Sequence, residues 1–200
     1  ASSVIDKYIE AIGGKDKVMK VSSVTMTATG TIQGIALTLV QKSTSENKSS
    51  IEVSGMGQIL QKRKFNGKEG YNEMQGKRAA MTSEELEKAK KGTAPFDDLA
   101  YKNGTLVRIE PLDGKKAYVI QFGKTEIFYD LKTGLKVKSV ATIKGPDGKE
   151  IKTPTFYKDY QVVEGIKFPH IMVQKMGPID LEFKTTNIKI NETISDENFN

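Results

Sequence analysis

Residues 105–144 read TLVRIEPLDGKKAYVIQFGKTEIFYDLKTGLKVKSVATIK. Four runs, Thr105 to Leu112, Ala117 to Phe122, Thr125 to Leu131 and Leu135 to Lys144, are rich in β-branched and aromatic residues. Asp113-Gly114, Gly123-Lys124 and Thr133-Gly134 separate them. Short glycine-bearing breaks between such runs predict hairpins, because glycine takes the positive φ that a tight turn needs. Hairpins at this spacing imply an antiparallel meander. A parallel sheet would need crossover helices between the strands.

The pattern extends both ways. Asp147-Gly148 leads into Glu150 to Val162, Ile166 to Lys175 and Ile179 to Ile190. Upstream, Val24, Met26 and Ala28 alternate with Thr25, Thr27 and Thr29, and Ile35, Leu37, Leu39, then Ile51 and Val53, repeat the period of two. Gln58 to Phe65 and Glu69 to Met74 flank Asn66-Gly67, a pair suited to a type I′ turn. Two helical segments interrupt the strands. Ile5, Tyr8, Ile9 and Ile12 share one helical face, with Ser2 or Ser3 as expected cap and Gly13-Gly14 as stop. One more turn is expected over Lys15 to Lys20. Thr82-Ser83-Glu84-Glu85 reads as a capping box, followed by Lys88, Lys90, Lys91 and the terminator Gly92. Phe96 to Tyr101 reads as a short helical turn after Pro95.

The expected fold is a single α+β, mainly β domain over residues 1–200, since no linker composition divides the chain. It holds a long antiparallel sheet, an N-terminal helix and a mid-chain helical insertion. An open sheet of about ten strands tends to curl, and its concave face needs cover. The two helical segments offer little apolar surface for that. An incompletely filled concave face is then expected to form a ligand cavity.

Composition removes most chemistries. The chain has no cysteine, so disulfides, thiol nucleophiles, iron–sulfur clusters and thiolate zinc sites are excluded. Its single histidine, His170, rules out a zinc site of two or three imidazoles. No Gly-x-Ser-x-Gly elbow presents a serine, and His170, after Pro169, reads as a strand-end or surface residue. Asp97-Asp98 are adjacent, so on a helix they point apart, and they read as a solvated pair near a helix start. Asp-x-Asp-x-Asp calcium spacing is absent. Gly30 to Gly34 and Gly55-Met56-Gly57 read as turns, not phosphate loops. The expectation is a non-enzyme without metal or cofactor. The net charge of +6 is spread over dispersed lysines, with only Lys62-Arg63-Lys64 clustered. Without a basic arm or an RNA-binding aromatic motif, no nucleic-acid partner is expected. No apolar run reaches the roughly 18–20 residues of a membrane span.

The cavity and lid candidates are Met26, Leu37, Leu39, Met56, Met74, Met81, Phe96 and Tyr101. Methionine adapts to varied apolar partners, as a deformable pocket requires. Ordinary core packing uses the same residue types. Movement of Met81 to Tyr101 would admit and release a ligand.

Five stretches taken in order carry a family likeness. They are Tyr8-Ile9-Glu10-Ala11-Ile12-Gly13-Gly14, Val21-Ser22-Ser23-Val24, Tyr129-Asp130-Leu131-Lys132-Thr133-Gly134-Leu135, the run from Tyr160 to Pro169, and Ile188-Lys189-Ile190-Asn191. Together the chain resembles the outer-membrane lipoprotein-sorting superfamily, the LolA/LolB/LppX-like proteins. Within it, the chain is similar to a Bacteroidetes-type branch that also occurs as the C-terminal tail of insulinase-like zinc peptidases. The resemblance implies a strongly curved sheet, an unclosed barrel, wrapped over its helices with a cavity for acyl chains. It implies a periplasmic or cell-envelope carrier of lipid or lipoprotein acyl chains. The leader of such proteins is not present in this chain. The alternative is an interaction or accessory module beside an envelope protein such as a peptidase, without lipid cargo. The family's lid-locking arginine has no match among Arg63, Arg78 and Arg108. The peptidases' zinc motif needs two histidines and cannot be present here.

Overall fold

A computed structural model of the chain describes residues 1–145 and 148–200. Helices α1 (Ser2–Ile12) and α2 (Lys15–Val18) come first. Strands β1 (Ser23–Ile32), β2 (Ile35–Thr44), β3 (Ser49–Gly55), β4 (Gln58–Phe65), β5 (Gly70–Met74) and β6 (Lys77–Ala80) follow. Helix α3 (Ser83–Lys90) and a 3-10 helix over Asp97–Asn103 interrupt them. Strands β7 (Thr105–Leu112), β8 (Lys115–Phe122), β9 (Thr125–Asp130) and β10 (Lys136–Lys144) resume the pattern. Strands β11 (Glu150–Val163), β12 (Ile166–Met176) and β13 (Ile179–Ile190) complete it, before a short 3-10 turn at Asp196–Asn198. Among the described residues the fold is mainly β: one sheet in the order β6-β5-β4-β3-β2-β1-β13-β12-β11-β10-β9-β8-β7, not closed into a barrel.

The turns follow the expected chemistry. Gln33-Gly34, Met56-Gly57 and Asp113-Gly114 each place two successive residues at positive φ, as type I′ hairpins require. Asn66-Gly67 does not. Only Gly67 of that pair has positive φ, at 94°, and the Asn66 side chain accepts hydrogen bonds from the N–H groups of Lys68 and Glu69. Asparagine closes a wider loop with its own side chain there. Of the Asp147-Gly148 turn, Asp147 lies outside the described residues, and Gly148 has φ 77°.

The chain divides into two units. The first comprises Ala1–Val18 and Asp98–Glu182. Here α1 buries Val4, Ile5, Tyr8, Ile9 and Ile12 on one stripe. No serine caps it. The Ala1 carbonyl accepts from the N–H groups of Val4 and Ile5, while Ser2 Oγ turns to Asp6. Each fully buried isoleucine contributes about 1.5–3 kcal/mol. Gly13 ends α1 at φ 148°, and a Cβ there would stand 2.6 Å from the Gly165 carbonyl oxygen. Glycine therefore lets the helix end press onto the β11–β12 turn. In α2, Val18 is buried.

The helix-bearing face of this unit is set by Tyr8, whose ring lies 5.3 Å from that of Tyr129 on β9. Alternation puts Ile127 and its cross-strand neighbour Ile120 on the same face. The opposite face buries Ala117, Val119, Phe128 and Val140. Lys138 Nζ lies 4.7 Å from the Phe128 ring centre, and Arg108 reaches both oxygens of Glu126. Long basic side chains shield this second apolar layer with their stems.

The second unit comprises Met19–Asp97 and Phe183–Asn200. One face of β1 and β2 carries Met26, Ala28, Leu37 and Leu39. α3 lies on that face. Thr82 and Glu85 form the expected capping box, and Glu85 also accepts from Asn72 on β5. Met81 seats on Gly70, where a Cβ would come within 2.7 Å of its sulfur. The opposite face carries the segment after β13, whose Phe199 is buried. Asn191 accepts from the Ser22 N–H, and Ser23 Oγ donates to the Glu192 carbonyl.

Replacing Gly13 with alanine combines strained φ with overpacking against Gly165. It should cost about 1–3 kcal/mol, read as a lower urea midpoint at an unchanged m-value.

Candidate functional site

The first unit contains a polar group in an apolar place. Asp98, in the 3-10 helix, is 4% exposed. The solvated pair expected at Asp97-Asp98 is thus corrected for Asp98, which enters the core because two hydrogen-bond donors, Lys136 and Tyr129, converge on it. Lys136 Nζ lies 2.7 Å from Asp98 Oδ2, and Tyr129 Oη donates to Asp98 Oδ1 at 2.5 Å. Tyr160 Oη donates to the Lys136 carbonyl. The Lys136 ammonium also lies 4.8 Å from the Tyr157 ring centre. Burial opposes the lysine charge, but the Asp98 carboxylate outweighs it and holds its pKa well above the usual lysine value. Burial, then the Asp98 charge, pushes the Tyr129 phenol up.

The Tyr129 to Leu135 motif explains itself beside this pair. Asp130 Oδ1 accepts from the N–H groups of Lys132 and Thr133 and from Thr133 Oγ1. Burial opposes its charge, but the Thr133 bonds prevail and keep its pKa low. Lys7 of α1 donates to the Leu131 carbonyl on the same turn. One heptapeptide therefore holds α1 and the 3-10 helix onto a single sheet face.

The same face continues as a half-buried row in which two threonines alternate with apolar residues, ending in an exposed apolar pair. Phe122 faces Thr125, Thr125 faces Ala141, and Ala141 faces Thr153. The next pair is Ile143 and Ile151, 49% and 44% exposed. The Tyr101 ring packs 5.2 Å from Phe122 at the helical end of this strip. Met172, opposite Tyr157, adds a half-buried methionine on that side. An apolar strip with one wall of aromatic rings can desolvate a hydrocarbon chain.

The other candidates lie in the second unit. Met26, Leu37 and Leu39 share one face. Leu39 faces Val53, Val53 faces Gln61, and Gln61 faces Met74, so Met74 lies in the same row. Met74 is 62% exposed at the end of β5, and Met56 is 73% exposed in the β3–β4 turn. Met81 and Phe96 are buried. Asn47 Nδ2 donates to the Ala89 carbonyl and ties the β2–β3 loop to the end of α3.

His170 sits within β12, half-buried, rather than at a strand end, with Nδ1 3.0 Å from the Phe168 carbonyl. Among the described residues, no group of three or more acidic or histidine side chains could hold a metal ion. No helix among them is long and apolar enough to cross a membrane. Asp98, Lys136, Ile143 and Ile151 were not foreseen as site residues. The Tyr129 to Leu135 motif was their nearest signal.

No known family profile matches the chain, and no curated protein matches it by sequence. Solved structures do. A LolA superfamily protein from Nitrosomonas europaea aligns with 100% of this chain and 97% of its own length, at a TM-score of 0.60 and 13% identity. A DUF1329 family protein from Desulfovibrio piger aligns over 99% and 96%, at a TM-score of 0.57 and 13% identity.

Replacing Asp98 with alanine leaves a buried ammonium unpaired and should cost about 3–5 kcal/mol of unfolding free energy. Replacing Tyr129 with phenylalanine should cost about 1–3 kcal/mol. Urea melts measure both. Tyr8 and Tyr129 have folded pKa values raised above the unfolded value. Their contribution is complete below about pH 10 and is lost as pH rises through the folded values. Phenolate absorbance should show both ionising only together with alkaline unfolding.

Proposed function

We propose that this chain, which has the LolA-superfamily fold, is a non-enzymatic carrier or binder of lipid or lipoprotein acyl chains in the periplasm or cell envelope. The observation that carries this reading is the half-exposed strip from Phe122 through Ala141 to Ile143 and Ile151, on the face that also bears α1 and the 3-10 helix. A hydrocarbon chain laid on it leaves water without asking for a hydrogen bond. Each buried methylene contributes about 0.8 kcal/mol, so about ten give a gross gain near 8 kcal/mol. Lost ligand freedom and ordering of the cover reduce that. Tyr101 is the proposed rim of the strip. In the second unit, Met26, Leu37, Leu39 and Met74 are proposed as a second apolar lining beside Met81 and Phe96. Met56, in its turn, is proposed as an outer contact. The reading takes the chain as one working domain over residues 1–200.

A second reading, an interaction module without lipid, is favoured by β7. This end strand exposes Leu106, Val107 and Ile109. An unpaired apolar edge accepts a strand from a protein partner.

Ile143→Asp and Ile151→Asp place charges on the strip at half-exposed positions that folding tolerates. Each should weaken uptake of a fluorescent fatty acid by about tenfold or more, in proportion to the apolar contact replaced. Unchanged uptake by both folded variants would sink the strip assignment. Solvent extraction of protein purified gently from its native envelope, followed by mass spectrometry, should yield stoichiometric acyl lipid. A protein partner and no lipid would favour the second reading.

A further inference from the structure

The second unit carries a cationic cleft on the sheet face opposite α3. Lys42, Ser50 and Lys64 stand in one row across β2, β3 and β4. Glu52 and Lys62 stand in the next row. Side chains alternate along a strand, so both rows point away from Asn72 and its Glu85 partner. They line a cleft of about 440 Å³, together with Glu197 and Asn198 of the chain's last segment. That volume falls within the range of about 300–1,000 Å³ common for small-molecule sites.

The charges there are not balanced. Lys42 Nζ donates to Asn198 Oδ1 at 2.6 Å. Lys64 Nζ donates to the carbonyls of Glu197 and Asn200 at 3.2 and 2.9 Å. Asn198 Oδ1 and the Glu197 carbonyl are neutral amide oxygens, which satisfy hydrogen bonds without cancelling charge. Among the described residues, Glu52 alone lies in ion-pair range of these lysines, 3.7 Å from Lys62. Arg78 stacks on Tyr71, which faces Lys64 in the next strand, and adds a further cation. Burial, then the nearby Lys62, Arg78 and Lys42 charges, pulls the Lys64 pKa down. Clustered cations in a part-buried cleft repel one another unless an anion joins them.

We propose that this cleft binds a phosphate group, held by the Lys42, Lys62 and Lys64 ammoniums and the Ser50 hydroxyl in place of the oxygens of residues 197–200. Phosphate suits the site because its oxygens accept several charge-assisted hydrogen bonds at once. Lysine ammoniums meet it as point charges from different directions. The source is either the free ion or a phosphoester headgroup. The inference does not rest on the acyl-chain reading, since the cleft and the apolar strip lie in different units.

The test is titration of the whole chain with inorganic phosphate, followed by amide NMR. Ser50 and Asn198 should shift saturably, and sodium chloride at matched ionic strength should not reproduce the shift. Lys64→Gln and Lys62→Gln should each weaken binding by about tenfold, while Lys116→Gln in the other unit leaves it unchanged. Circular dichroism checks that each variant folds. Asn198→Ala should tighten binding by freeing Lys42. Equal shifts with chloride, or undiminished binding in both folded lysine variants, would overturn the site. Vesicles of phosphatidic acid in phosphatidylcholine then assign the source. Competition with phosphate identifies a lipid headgroup, and none identifies the soluble ion or ester. Failure of fatty-acid uptake leaves this result untouched.

Discussion

The first unit depends on the buried contact of Asp98 with Lys136 and Tyr129. It sets one carboxylate, one ammonium and one phenol where a purely apolar core would otherwise form. Such a pair gains little net stability when whole and loses much when broken. Its value lies in position. An apolar contact between the 3-10 helix and the sheet could slide, whereas a shared carboxylate fixes the helix to β9 and β10 at one point. The Tyr129 to Leu135 turn places the phenol of this contact beside the seat of α1, so two covers answer to one stretch of chain.

The two faces of the second unit solve different problems. One is apolar and lies under α3, which is joined to the sheet by a capping box that doubles as a cross-link to Asn72. The other is polar and lies under the last ten residues, held by Asn191, Asn198 and lysine ammoniums. α3 itself buries no residue. Its hold on the sheet comes from Met81 before it, from the Glu85–Asn72 bond and from Asn47 at its last turn, which suits a segment whose detachment exposes little of its own surface.

Period-two alternation and glycine turns made the meander legible, because both are local and chemically strict. The capping box was legible for the same reason. β6 was not, since Lys77-Arg78-Ala79-Ala80 has neither alternation nor β-branched residues and is a strand only through pairing with β5. Asn66-Gly67 was misread because asparagine offers two turn chemistries, and the four-residue gap before Gly70 selects the side-chain one. The helix cap was misplaced because Ser2 found Asp6 within its own helix. Asp98 was illegible because a carboxylate's burial depends on Lys136 and Tyr129, which lie far along the chain. The half-exposed strip was missed likewise. Ile143 and Ile151 look like core in sequence, and only the extent of the helices above them leaves them open.

One feature of the topology reaches into how the chain assembles. Nearly every strand pairs with its neighbour in sequence, so most of the sheet can grow by short hairpin closures. The β1–β13 ladder differs, joining Val24 to Ile190 across almost the whole chain. Loop closure over that length carries the largest entropic cost in the molecule, and contacts of this span slow folding. Seen from synthesis, β1 leaves the ribosome long before its second partner exists. Until β13 arrives, the backbone groups of Ser23, Thr25 and Thr27 on that side of β1 are unpaired, open to any strand that comes near.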